Sequence, residues 1–352
     1  MAQYKASMER LTILEIDGTN EEETNLLAVN GTNGAEDQLE SDYIVIHHPS
    51  NPFLSWLEAH TGFIMMPTLP LLWCALFIAT MDRQSLLSAW AMPLLGICSA
   101  SLANAVPVGG GIVFVPVLAL FGFQIQLGTA FAVSTMTFGN GIFGFLSWLR
   151  KDPGSIAWGA VPYAVLPAWI GSVYGTYNLF MTPAESRNLF ALFCVLVAAV
   201  VGWGLYRNGG ADEKGVFSLV DDARKTPGTD RTPAKALVAT LSSASAGTVL
   251  VPHIGIGNAM TTFLVCTFVW RLPAKTSVVT GILVGGWTSA VPFAIHLFVI
   301  GDVPLNLWVM GLPGVYIGAQ IAPLVHERLG IATVLTAFVI FLLGTAVLMV
   351  FT

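Results

Sequence analysis

From Gln84 to Leu149 the chain contains no Asp, Glu, Lys or Arg. Charged side chains make up 10% of its 352 residues, where soluble domains carry about 25%. A charge-free stretch of this length cannot remain in water, so a water-soluble core is excluded and a polytopic membrane protein is implied. Carboxylates are also missing from the interior of every other apolar stretch long enough to span a bilayer. That removes the paired acids an intramembrane hydrolase would need, and no Ser–His pairing is visible from spacing. Neither an HExxH pattern nor a P-loop occurs, which argues against a zinc peptidase and a nucleotide-driven pump. The four cysteines, Cys74, Cys98, Cys194 and Cys266, lie in apolar segments without a CxxC spacing. They read as small packing residues rather than ligands or a disulfide framework. No cofactor and no nucleic-acid partner is indicated, and nothing in the sequence specifies an oligomeric state.

What is present is 55% hydrophobic residues and a mean hydropathy of +0.72. Charge is unevenly placed. Residues 1–60 hold eleven acidic residues against Lys5 and Arg10, a net of −9, and the remaining ten acidic and thirteen basic residues give +3. The segment 1–60 reads as an acidic, disordered tail without a cleavable signal pattern. Residues 61–84 hold an extra N-terminal span. Residues 85–206 form a first transmembrane repeat, 207–235 a polar linker and 236–352 a second repeat. Spans are expected near 63–81, 85–106, 109–122, 127–149, 155–180, 188–206, 236–252, 255–270, 276–299, 303–325 and 330–351. Those at 109–122 and 255–270 are short for a ~20-residue crossing, so each is expected to pair with its predecessor as a broken or re-entrant hairpin.

Basic residues favour the cytoplasmic side. The linker carries Arg207, Lys214, Arg224, Lys225, Arg231 and Lys235 and is assigned there. Counting from it puts Arg150-Lys151, the Arg271–Lys275 turn and Arg328 inside, with the 122–127 and Gly301-Asp302 turns outside. Only Arg83 and Arg187 fit poorly. The N-terminus is then cytoplasmic, in a plasma membrane or bacterial inner membrane. Trp148, Trp158, Trp270 and Trp308 fall near span ends and read as interfacial anchors. Trp287, in mid-span, is a packing or pathway residue.

Residues 109–135 and 255–281 align without a gap at an offset of 146. Gly109-Gly110-Gly111 meets Gly255-Ile256-Gly257, and Ala132 to Thr135 meets Val278 to Gly281. Pro167 to Gly171 then resembles Pro313 to Gly318 with one residue inserted. The charge count gives the halves opposite orientations. The expected fold is therefore an all-α inverted repeat of helix bundles, broken at the glycine motifs, an arrangement that places a transporter's site at the repeat interface.

The run from Gly109 to Pro116, then Ala130 to Ser134, then Pro167 to Gly171 resembles the sulfite exporter family, TauE/SafE. The second half is similar through Gly255-Ile256-Gly257, Ala274-Lys275-Thr276-Ser277 and Pro313 to Gly318. The resemblance covers residues 86–351 and implies a transporter of small anions, typically sulfite, organosulfonates or related carboxylates. In the second motif Ile256 stands opposite Gly110 and Asn258 opposite Ile112, so the halves are expected to contribute unequally.

With no cation inside a span, an anion must be met by neutral donors and helix N-termini. Backbone at Gly109, Gly110 and Gly111 and at Gly255 and Gly257 is the expected site, with Ser134, Thr135, Asn140 and Thr280 as side-chain donors. The competing readings are tight helix packing for the glycines and interhelical hydrogen bonds for the polar residues. Asn104 is expected to satisfy broken backbone. His253, beside the second motif, either binds the anion, carries a coupled proton, or stays neutral on a freed carbonyl. His296 faces the neighbouring loop or functions as a second intramembrane histidine, and His326 belongs to the Arg328 loop. The partners implied are a small anion, a coupled proton and the lipid bilayer. A channel built on the same broken helices, and a receptor or scaffold role for the tail, remain the other readings.

Overall fold

A backbone crossing hydrocarbon must satisfy its own hydrogen bonds, and every regular element among the described residues is helical. The computed structural model describes residues 52–107, 109–207, 233–256 and 258–351, within the unit Ile44–Thr352. The tail up to residue 51, linker residues 208–232 and Gly257 lie outside the described residues. In chain order the helices are α1 (Pro52–Phe63), α2 (Leu69–Thr80), α3 (Arg83–Ser88), α4 (Met92–Ala103), α5 (Gly111–Leu120), α6 (Ile125–Phe138) and α7 (Phe145–Lys151). They continue with α8 (Val161–Tyr177), α9 (Pro183–Arg207), α10 (Pro233–Ile254), α11 (Ala259–Leu264), α12 (Ala274–Ile295) and α13 (Leu305–Phe351). Segments of π-helix join α1 to α2, join α6 to α7 over Gly139–Gly144, and extend α11 and α12 to Val269 and Ile300. Proline opens several of these helices, at Pro93, Pro162, Pro183 and Pro233, where its missing N–H costs nothing.

Among the described residues six helical stretches are long and apolar enough to cross a membrane: Ile125–Lys151, Pro183–Tyr206, Pro233–Ile254, Lys275–Ile300, Leu305–Val325 and Thr333–Phe351. The protein is an integral membrane protein of the all-α class. Two expected spans and one expected loop take another form. The stretch 85–106 is divided into α3 and the twelve-residue α4 by a turn at 89–91. The stretch 155–180 yields only the 17 residues of α8, because a 3₁₀ turn at Pro153–Ser155 and a further turn precede it. The loop expected around His326 and Arg328 is instead helical, so both apolar segments of α13 belong to one uninterrupted run of 47 residues. Helicity also starts at Pro52, ahead of the expected span at 63.

The two halves interlock through glycines. A Cβ on Gly314 of α13 would overlap the Pro93 carbonyl of α4, and one on Gly318 would come within 2.6 Å of the Ile97 oxygen. In the other pairing, a Cβ on Gly171 of α8 would overlap the Ala244 oxygen of α10, and one on Gly247 would overlap the Ala168 oxygen. The helix that precedes each break thus packs against the helix containing the matched Pro-to-Gly segment of the other half. Between them the π-helical Gly139–Gly144 crosses α12 where Gly141 and Gly286 touch backbone to backbone. This reciprocal pairing is consistent with an inverted repeat.

The loops assigned to one side by charge lie together. Lys275, in the first turn of α12, pairs with Asp152, after α7, and Lys151 Nζ donates to the Pro323 carbonyl at 3.4 Å. Trp148 and Trp308, expected as interfacial anchors, are buried among protein side chains instead. Each lies close to a span end in sequence, but a neighbouring helix covers it. Cys194 and Cys266 are buried packing residues, whereas Cys74 and Cys98 face outward.

Candidate functional site

The two glycine breaks meet. A Cβ on Gly111 would overlap the carbonyl oxygen of Gly255 and lie 2.9 Å from its carbon, so these backbones approach only because neither residue has a side chain. Gly255 has φ +64° and ends α10 in the left-handed region, where L-residues are penalised. Its missing Cβ would stand 2.9 Å from Cα of Thr129 and 3.2 Å from Cβ of Ala132, both on α6. The meeting point is therefore walled by α5, α6 and the end of α10. Gly110 caps α5 without a side-chain bond, and a Cβ there would touch Phe114 and the Ser99 hydroxyl. At Gly109 a Cβ would overlap the end of the Met136 side chain. Gly257 lies outside the described residues.

Side chains bond carbonyls on either side of the first break, of which Gly110 and Ala100 also accept backbone N–H groups. Ser99 Oγ donates to the Gly110 carbonyl at 3.2 Å, Asn104 Nδ2 to that of Ala100 at 3.0 Å, and Asn140 Nδ2 to that of Ala103 at 3.2 Å. The Ala100 carbonyl also accepts the Asn104 N–H, so Asn104 serves its own helix rather than a freed carbonyl, whereas Asn140 caps the end of α4. Trp287 Nε1 donates to the Gly141 carbonyl at 2.9 Å, which supplies a partner inside the π-helical segment. Asn258, the N-cap of α11, reaches the Ser243 carbonyl through Nδ2 at 3.4 Å.

The other expected donors are placed less directly. Ser134 Oγ and Thr135 Oγ1 donate one turn back, to Ala130 at 2.6 Å and Phe131 at 2.8 Å, so both hydroxyl protons are committed within α6. Thr280 Oγ1 accepts from the Ala157 N–H at 2.9 Å and ties α12 to the loop before α8. His253 is buried, packs edge-on against Phe180 with ring centroids 4.5 Å apart, and leaves Nε2 without a partner. Its ring contact is with the segment following α8 rather than with the first glycine motif.

Two polar groups near the breaks escaped the sequence reading. Thr129, 1% exposed, has its Cα against Gly255 and its Oγ1 without a partner. Asn258 is fully buried with Oδ1 unpaired. A signal for Thr129 existed: Gly128, Ala132 and Met136, at four-residue steps on α6, all touch α5 or a break, and Thr129 adjoins that stripe. Unpaired buried polar groups are rare and call for a ligand, water or function. Among the described residues no group of three or more His, Cys, Asp or Glu is placed to hold a metal ion. A cavity of about 410 Å³ lies elsewhere, between α2 and α13, and its lining (Leu69, Trp73, Phe138, Phe143, Trp308 and Tyr316 among others) is apolar. An anion would be desolvated there without compensation.

Comparison with known proteins agrees with this architecture. The family model described as Sulfite exporter TauE/SafE matches residues 92–349, from the first residue of α4 almost to the end of α13 and across both breaks. No curated protein and no solved structure matches the chain. Helices α1 to α3 fall outside the family match. Matched over most of its length, the chain belongs to the sulfite exporter TauE/SafE family of membrane transporters.

Proposed function

We propose that the protein is a secondary carrier exporting a small sulfur oxyanion, sulfite or an organosulfonate, bound where the two glycine breaks meet. The observation that carries this reading is the contact of Gly111 with Gly255 across the halves, beside the unpaired Thr129 hydroxyl. Alternating access in inverted-repeat transporters works around a site at the repeat interface built from discontinuous helices. An anion there meets the positive end of the α5 dipole, a neutral hydroxyl donor, and no carboxylate in the interior of the surrounding spans. Neutral donors at a helix start suit a singly or doubly charged oxyanion that must also be released. The N-terminus is cytoplasmic in this reading, and the basic loops around Lys151 and Lys275 face the cytoplasm. A potential negative inside favours anion exit by about 2.3 kcal/mol per charge per 100 mV, which gives the outward direction.

The test is uptake and counterflow of sulfite and methanesulfonate in proteoliposomes, alongside ligand-induced thermal stabilisation of purified protein. Saturable counterflow and stabilisation by a sulfur oxyanion are expected, both weakened in Thr129→Val. That variant keeps shape and removes only a buried hydroxyl with no partner, so its stability should equal or exceed the parent's. Equal affinity in Thr129→Val would remove Thr129 from the site. Large unitary currents without counterflow would identify a channel.

A further inference from the structure

The turn after α12 holds a second buried histidine in a different setting from His253. His296 opens the π-helical extension of α12, and its Nδ1 lies 2.8 Å from Oδ1 of Asp302. An ionised carboxylate only accepts, so Nδ1 carries the proton, and the neutral ring presents Nε2 as a base. That nitrogen is buried without a partner. The pair is graded in exposure: the His296 side chain is 7% accessible and that of Asp302 36%. One group is accessible at the protein surface while the other keeps its free nitrogen inside the protein. The backbone fixes the pair. Gly301, at φ +75°, reverses the chain, and the N–H groups of Gly301 and Asp302 both donate to the His296 carbonyl, at 2.8 and 3.3 Å. A loop lock would need the Nδ1 contact alone. It gives no reason to bury a basic nitrogen unpaired, which is costly in a membrane protein.

The surroundings hold few competing groups. Lys275 is at the opposite end of α12, about 30 Å away at 1.5 Å per residue. The facing parts of α6 and of α13 up to Val315 contain no titratable side chain, and Tyr316 donates to the Met65 carbonyl. On α2 there is the exposed Cys74. The exposed Arg83 belongs to α3, which packs on α13. Asp82 accepts from the Ser85 N–H at 2.7 Å, and the backbone bond from Ser85 holds its carboxyl below the usual carboxylate range.

We propose that His296, held by Asp302, is the proton-binding site of the transport cycle. The lone pair of Nε2 takes a proton, the imidazolium is balanced by the adjacent carboxylate, and release of that proton restores the neutral ring; no other bond changes. Coupling of this proton to an anion rests on the function proposed above, whereas proton binding at His296 does not.

The experiment has two arms. In proteoliposomes, proton movement is followed with a pH-sensitive dye while methanesulfonate, which stays ionised and carries no proton itself, is transported. Wild type should move protons in the direction opposite to the anion, and His296→Gln, which keeps an amide donor toward Asp302, should lose that movement while retaining methanesulfonate counterflow. Asp302→Asn should impair proton movement in the same way. Unchanged proton movement in folded His296→Gln, or none in wild type that transports the anion, overturns the coupling. In the second arm, NMR of ¹³C-labelled histidine in the folded wild type follows protonation directly, with Asp302→Asn as the perturbing variant should His296→Gln fail to fold. A His296 signal that titrates reversibly and responds to Asp302→Asn supports the site, and one that never changes charge state overturns it. If wild type moves no sulfur oxyanion while His296 still titrates, the proposed function fails and the proton site stands.

Discussion

The two glycine breaks perform the same interruption by different means. The first spans residues 104–110, and side chains from elsewhere serve its carbonyls: Ser99 bonds Gly110 and Asn140 bonds Ala103. The second lies between Ile254 and Ala259, and among its described residues Gly255 is left-handed, while Ile256, where the first motif has Gly110, is fully buried in the core. The first break draws on side chains from α4 and the π-helical segment, whereas the second relies on a glycine in a conformation that a residue with a Cβ would be strained to adopt. The more degenerate motif in sequence is thus the tighter one in structure. The glycines within a motif are also unequal, since what each missing Cβ would meet ranges from a carbonyl oxygen to a flexible thioether.

That ranking can be broken by substitution, measured as thermal or denaturant stability in detergent together with oxyanion affinity. Gly111→Ala should have the largest effect. Its methyl is driven into the Gly255 carbonyl, which lies on rigid backbone, and a loss of about 3 kcal/mol or failure to fold is expected. Near-parental stability would show that the breaks are not pressed together. Gly255→Ala should follow, at about 2 kcal/mol, from the left-handed φ and the 2.9 Å approach to Thr129. Were it to cost less than Asn140→Ala, the claim that strain is concentrated at Gly255 would fail. Asn140→Ala strips a donor from the buried Ala103 carbonyl and should cost about 1–2 kcal/mol, with amide exchange faster at the end of α4. Gly109→Ala should be mildest, within about 0.5 kcal/mol, because only the Met136 terminus must move. A loss there as large as at Gly111 would mean that Met136 cannot yield.

Much of this architecture is legible in the amino-acid order because membrane physics leaves few options. A long charge-free apolar stretch has to be helical, and three consecutive glycines inside it interrupt the helix; α4, the break and α5 follow. Positions decided by neighbours were not legible. Ser134 and Thr135 are the conspicuous hydroxyls after the first motif, yet each bonds its own turn, and Thr129 faces Gly255 instead. Span ends were misjudged where a turn cost little, as at 89–91. The loop around Arg328 was misjudged because charged residues in a row are compatible with a helix that continues past them.

Composition and spacing by themselves determined the solvent, the helical class and the two interruptions, since each depends on local hydropathy and backbone freedom. Tertiary structure decided that Gly111 touches Gly255, that Asn140 caps α4, that Trp287 serves the π-helical carbonyl, and that His296 rather than His253 has a carboxylate partner. The physical reason is that satisfying a buried polar group depends on which surfaces meet across the fold. A chain that commits few charges to its membrane part writes its element types plainly and leaves its contacts to packing.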